Sequence, residues 1–169
     1  MSAGGGPSVQ AVREALTAAG SPARVVELAE TARSAEDAAA ALKTPLGSIV
    51  KSLVFLVGER PVMALVAGDR RCKAKALPGI LGLEGKVRRA DAARVREATG
   101  FAIGGVSPVG LKEPLPVAID AGLDRFDTVY AAAGHPHYVF ATTLAELERL
   151  TGGVRSGEIA EEGAGAVSA

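Results

Sequence analysis

Lys51 has the setting that most demands a chemical explanation. It stands at the centre of Ser48-Ile49-Val50-Lys51-Ser52-Leu53-Val54-Phe55-Leu56-Val57, ten residues in which only two serines and this lysine are polar. As a strand, the run sends Ile49, Lys51, Leu53, Phe55 and Val57 to one face and Val50, Ser52, Val54 and Leu56 to the other, because side chains alternate along an extended chain. Both faces are apolar, so the strand is expected to be central. An ammonium there must be paired, snorkel to the surface or open into a cleft, since an uncompensated buried charge is strongly unfavourable. Cleft lysines are put to chemical use; a stem that merely covers apolar surface is the ordinary alternative.

Other residues able to do chemistry lie far along the chain. Gly104-Gly105-Val106-Ser107-Pro108-Val109-Gly110 combines glycines that permit close backbone approach with a Ser-Pro turn. Such a loop either presents N–H groups to a ligand oxygen or serves as a structural turn. Both histidines, His135 and His137, fall in one turn, Gly134-His135-Pro136-His137. The single Cys72 has no obvious general base beside it in the sequence, and two His with one Cys do not make a convincing zinc site. No metal or cofactor is expected. Between Arg70 and Arg96 nine basic residues face two acids, a local balance of +7, which reads either as a phosphate-facing patch or as a solvated surface.

The elements that must position these groups can be read in outline. A leader, residues 1–7, is expected to be disordered. Ser8 looks like the cap of a first helix ending at Gly20, and residues 24–28 are a short strand candidate. A second helix runs from Ser34 to Leu42, with Asp37 completing a capping pair. The Lys51 strand turns through Gly58-Glu59-Arg60-Pro61 into an antiparallel strand, residues 62–67. A polar turn at 68–71 and a short helix near 73–77, broken at Pro78-Gly79, follow. A helix over 90–99 leads to a brief strand at 101–103. Residues 115–120, 128–132 and 138–141 read as further strands, and Thr143 with Glu146 caps a last helix. Residues 8–152 are read as one domain, and 153–169, rich in Gly, Ala and Glu, as a disordered tail. The hairpin and the consecutive late strands do not suit a purely parallel sheet. The expected class is therefore α+β, a mixed sheet flanked by helices.

Composition bounds the rest. The chain has 169 residues, 48% hydrophobic and 4% aromatic, so Ala, Val, Leu and Ile must build the core. Basic and acidic residues number 19 each, which argues against a globally basic nucleic-acid coat. A lone cysteine fits a reducing compartment. The N-terminus shows no apolar signal segment, and no run approaches the roughly 18 apolar residues of a membrane span. The expected location is the cytoplasm. No P-loop, dinucleotide fingerprint or internal repeat is present.

Three stretches in this order, Ile49-Val50-Lys51-Ser52-Leu53-Val54, the glycine-rich Thr99 to Gly110, and Thr128-Val129-Tyr130-Ala131-Ala132-Ala133-Gly134-His135-Pro136, resemble the YbaK / prolyl-tRNA-synthetase-associated domain family. The likeness covers roughly residues 8–152. It implies a strongly coiled mixed sheet and hydrolysis of the ester of a mischarged aminoacyl-tRNA, typically tRNA(Pro) carrying a small wrong amino acid such as Cys or Ala. It puts the catalytic lysine at Lys51, and substrate contacts at Ser52, Gly104, Gly105, Val106, Ser107, Pro108 and His135. Arg70, Arg71, Lys73 and Lys75 are the candidates for the tRNA acceptor end, and an aminoacyl-tRNA synthetase is a possible partner. Members best known for Cys-tRNA(Pro) have a Gly-Lys-containing turn followed by a carboxylate; here the turn carries His135, and Val139 stands at the carboxylate's position. Amino-acid specificity therefore stays open. A module that binds aminoacyl-tRNA or a synthetase without hydrolysis is the alternative, and a small-molecule or nucleotide binder is a third.

Overall fold

The computed structural model describes residues 4–163. Helix α1 (Gly6–Ala18) buries Val9, Val12 and Leu16. It begins before Ser8 because Pro7, with its fixed φ, suits the first turn; the leader thus runs into the helix, and residues 1–3 lie outside the described residues. Strand β1 (Val25–Glu27) and helix α2 (Ala35–Leu42) follow, the latter capped by Ser34 Oγ, which accepts from the Asp37 N–H at 3.0 Å. Strand β2 (Ile49–Val57) carries Lys51 and turns at Gly58 (φ 63°) into β3 (Arg60–Ala67). Then come β4 (Arg70–Cys72), helix α3 (Leu77–Leu81), β5 (Val87–Arg89), and helix α4 (Ala92–Thr99) between its Asp91 cap and Gly100 at φ 86°. The second half holds β6 (Val117–Asp120), β7 (Val129–His135), β8 (Tyr138–Thr142), helix α5 (Leu144–Thr151) capped by Thr143, β9 (Val154–Ser156) and β10 (Ala160–Glu162).

The main sheet runs β1-β8-β7-β2-β3-β6-β9, with β5 also paired to β2. The β2–β7, β3–β6 and β6–β9 contacts are parallel and the others antiparallel, so the sheet is mixed, and it is strongly curled. β2 and β3 pair in unbroken register from Val50↔Ala67 to Val57↔Arg60. The alternation read from sequence divides the core in two. Val50, Val54 and Leu56 pack with α1, Phe140 and Leu147, while Phe55 and Val57 pack with Val62, Val66, Leu77 and Ile159. Ile49 joins Ala38 and Ala39 in a smaller cluster that seats α2.

Several local expectations differ from the structure. Residues 70–72 form a strand, not a turn, pairing antiparallel with β10. Pro78 does not break a helix; it occupies the first turn of α3. Residues 101–103 form no strand: Phe101 is buried and the chain turns, with the Gly105 N–H donating to the Ala102 carbonyl at 3.0 Å. The boundary at 152 also fails. β9 adds to β6, Ile159 is fully buried, and β10 clips onto β4. Both strands have three residues and are specified by distant partners, so composition masks them. Residues 164–169 of the expected tail lie outside the described residues.

Candidate active site

Strand β2 changes partner along one edge. Ile49 and Val50 pair with β7, Phe55 to Val57 pair with β5, and Lys51 to Val54 have no strand beside them on that side. A cavity of about 310 Å³ opens along this gap. Its walls come from β2, α2, α4, β7, β8 and the loop at 103–106. Among the described residues its lining includes three basic side chains, Arg33, Lys51 and Arg89, and no Asp or Glu; most of the remainder is apolar, as at Ile49, Leu53, Val54 and Val95.

Lys51 is half-buried at this gap, and its Nζ donates to the Arg70 carbonyl. Burial pushes its pKa below the ordinary lysine value, because taking an ammonium out of water disfavours the charged form; the carboxylates of Glu36, Asp69 and Asp120 partly oppose the shift. Beside it, Ser52 Oγ is buried, lines the cavity and has no hydrogen-bond partner. A buried hydroxyl left unsatisfied costs about 1–3 kcal/mol. Cys72 is no nucleophile in this setting: burial pushes its thiol up to about 11, so the sulfur stays protonated near neutrality.

His135 ends β7 and lines the cavity; His137 does not. The His135 Nδ1 accepts from the His137 N–H at 3.0 Å, so the neutral ring carries its proton on Nε2 and offers a donor there. Its ring lies edge-on to Tyr138 with centroids 5.6 Å apart. His137 is engaged elsewhere, its Nδ1 lying 2.8 Å from Thr31 Oγ1.

The glycine-rich loop divides. Gly104 and Val106 line the cavity. Gly105 is glycine for packing, since a Cβ there would stand 2.7 Å from His135 N and 2.8 Å from its Cα. Its N–H already closes the turn onto Ala102, so it is not free to serve a ligand oxygen. Ser107 is fully buried, its Oγ accepting from the Val109 N–H at 3.0 Å, and Pro108 lines a separate surface hollow beside α1. The structure therefore gathers Lys51, Ser52, Gly104, Val106 and His135 around one cavity and leaves Gly105, Ser107 and Pro108 behind its wall.

The sequence profile of the aminoacyl-tRNA editing domain matches residues 29–150. This chain belongs to the aminoacyl-tRNA editing domain family. It is 32% identical over 145 residues to YwhH of Bacillus subtilis (strain 168), covering 85% of this chain and 91% of YwhH. It is 33% identical over 102 residues to the proline–tRNA ligase of Solidesulfovibrio magneticus, covering 60% of this chain but only 18% of the ligase. Among solved structures, a proposed trans-editing enzyme for prolyl tRNA synthetase superimposes with a TM-score of 0.84 at 40% identity, covering 93% of this chain and 98% of the other.

Four of the nine basic residues in the 70–96 stretch of this editing domain are engaged with its own carboxylates. Arg70 pairs with Asp120 at 3.1 Å, Arg71 with Glu161 at 2.7 Å, Arg88 with Glu59 at 3.1 Å and Arg94 with Glu97 at 2.8 Å. Lys73 and Lys75 are exposed, outside the cavity lining. Arg89, stacked over the Phe55 ring at 5.5 Å, and Arg33 reach the cavity instead. Sequence reading passed over Arg33 altogether and saw Arg89 only as one charge in a run. No local signal marks either, because the strand β5 and the α2 approach that aim them are fixed by tertiary contacts. Among the described residues, no cluster of three or more His, Cys, Asp or Glu could hold a metal ion, and no helix is long and apolar enough to cross a membrane.

Proposed function

We propose that this editing domain is a deacylase that hydrolyses the ester of mischarged aminoacyl-tRNA, acting on tRNA(Pro) carrying a small wrong amino acid such as Cys or Ala. The observation that carries the reading is Lys51, a half-buried ammonium on the unpaired edge of a central strand, at an apolar cavity with the unsatisfied Ser52 hydroxyl beside it. An aminoacyl ester is already activated, so the protein need only position it and stabilise negative charge on the carbonyl oxygen. Lys51 supplies that charge. His135 Nε2–H contacts the amino acid or orients the water. Water attacks the carbonyl carbon, the acyl carbon–ribose oxygen bond breaks, and the ribose oxygen takes a proton, giving free amino acid and uncharged tRNA.

The protonated thiol of Cys72 and the lack of carboxylates in the cavity wall favour direct attack by water over a covalent intermediate. The apolar lining, with Val139 among it, supports a small side chain without charge. Arg33 and Arg89, exposed beside the cavity, are suited to the phosphates of the tRNA's terminal nucleotides. The test is loss of label from tRNA(Pro) charged with Cys, Ala, Ser, Thr or Pro. Rapid loss of Cys or Ala with Pro spared is expected. Tight binding of these tRNAs with no turnover of any ester would establish a binding module instead.

A further inference from the structure

Arg70 is turned inward. Its Nε donates to Asp120 Oδ2 at 3.1 Å and its Nη2 to the Ala160 carbonyl of β10 at 2.8 Å. Asp120 is fully buried, and its carboxylate also accepts the Ala67 N–H at 3.1 Å and the Gly122 N–H at 2.8 Å. The seat is shaped for the arginine: a Cβ on Gly122 would stand 3.0 Å from both Arg70 Cδ and Nε. The carbonyl of this same Arg70 accepts from Lys51 Nζ. A buried carboxylate thus holds the arginine side chain, and the arginine backbone holds the lysine.

We propose that Asp120 and Arg70 are positioning residues that fix the Lys51 ammonium at the cavity, with β10 completing the device. The proposal rests on the reading that Lys51 acts on the ester. A lysine stem has four rotatable bonds, and ordering it costs free energy that a preformed acceptor offsets. Arginine suits the task because its rigid fork reaches Asp120 and Ala160 at once, which an ammonium cannot reproduce. Removing the Arg70 side chain leaves the fully buried Asp120 charge without its ion-pair partner. This assigns Arg70 to the interior of the site and withdraws it from the tRNA-facing surface.

The experiment compares the full chain with Asp120→Asn, Arg70→Met and Arg70→Lys, in steady-state deacylation corrected for uncatalysed ester loss. Displacing a catalytic group by about 1 Å can cost on the order of a hundredfold in rate. The expected result is a fall in kcat of about ten- to a hundredfold for Asp120→Asn and Arg70→Met, with KM for aminoacyl-tRNA held within about twofold and part of kcat restored in Arg70→Lys. A raised KM with unchanged kcat, and a salt slope reduced by about one, would make Arg70 a phosphate contact and overturn the proposal.

A second readout separates positioning from plain loss of stability: the NMR titration of the Lys51 side chain, assigned with Lys51→Ala. Lys51 feels Glu36 of α2, Asp69 of the β3–β4 turn, Cys72 of β4 and Asp120 at the end of β6. Removing the Asp120 charge lowers the Lys51 midpoint through lost electrostatics in any case, so the deciding signal in the same spectra is the side-chain order of Lys51 in Arg70→Met: order that falls below the wild type supports positioning, and unchanged order defeats the proposal. This titration needs folded protein but no turnover. If the wild type hydrolyses no ester, the deacylase reading fails while the coupling of Asp120 to Lys51 is still measured.

Discussion

At the scale of single residues, the role proposed for Lys51 sets function against stability. Its folded-state pKa is lowered, so near neutrality the folded state binds that proton less readily than the unfolded chain does. The resulting penalty is fully present below the folded pKa and is relieved as pH rises from there towards the unfolded value. Lys51→Met should therefore abolish hydrolysis while its unfolding temperature equals or exceeds that of the wild type, read by thermal melts at pH 7. With the ammonium as the acting form, as proposed, activity should also fall as pH rises through the lowered Lys51 pKa. Ser52→Ala carries a related signature. Deleting the orphaned hydroxyl should stabilise the fold by about 1 kcal/mol and slow deacylation about tenfold; a variant that loses stability would place the hydroxyl in an interior hydrogen bond. Lys51 was legible because a charge amid apolar strand residues conflicts with burial. Asp120 was not, since a carboxylate at the end of a strand looks like any turn residue until folding brings Arg70 to it.

At the scale of elements, the caps were the most readable signals. Ser34 and Thr143 accept the N–H groups of Asp37 and Glu146, each at 3.0 Å, as their spacing predicts. Thr143→Ala should cost about 1 kcal/mol in denaturant unfolding and leave hydrolysis intact, since α5 is not part of the cavity wall. The long hairpin β2–β3 was equally plain, because its register is set by a two-sided apolar pattern and a glycine turn. The strands β4, β5, β9 and β10 were not. Each has three residues and finds its partner far along the chain, Arg71 opposite Glu161 and Arg89 opposite Phe55, so no local pattern announces them. The glycine loop could be read either as a donor array or as a structural turn, and at Gly105 the turn holds: a Cβ there would meet His135 of β7. Gly105→Ala should cost about 1–3 kcal/mol by overpacking and, by shifting His135, slow hydrolysis as well. Unchanged stability would show that the loop yields freely.

At the scale of the whole molecule, composition sets the charge balance at zero, and folding decides where charge remains available. Four of the nine basic residues in the 70–96 stretch pair with carboxylates. The cavity keeps Arg33, Lys51 and Arg89 without a carboxylate in its lining. Arg33→Ala and Arg89→Ala should each raise KM for aminoacyl-tRNA and reduce the salt slope by about one, with kcat little changed, whereas Lys73→Ala and Lys75→Ala should leave both unaltered. The curled mixed sheet is what makes this placement possible: it leaves β2 uncovered between β7 and β5 and brings α2, α4 and the 103–106 loop around the gap. The class of fold could be read from the hairpin and the late strands, but the gap could not, because it depends on where two short pairings stop. The central claim is that Lys51 acts on the ester, and its most direct measurement is single-turnover deacylation of mischarged tRNA(Pro) by wild type and Lys51→Ala at saturating protein. A loss of rate of a hundredfold or so with undiminished tRNA binding is the predicted result, and equal rates for the two proteins would contradict the account.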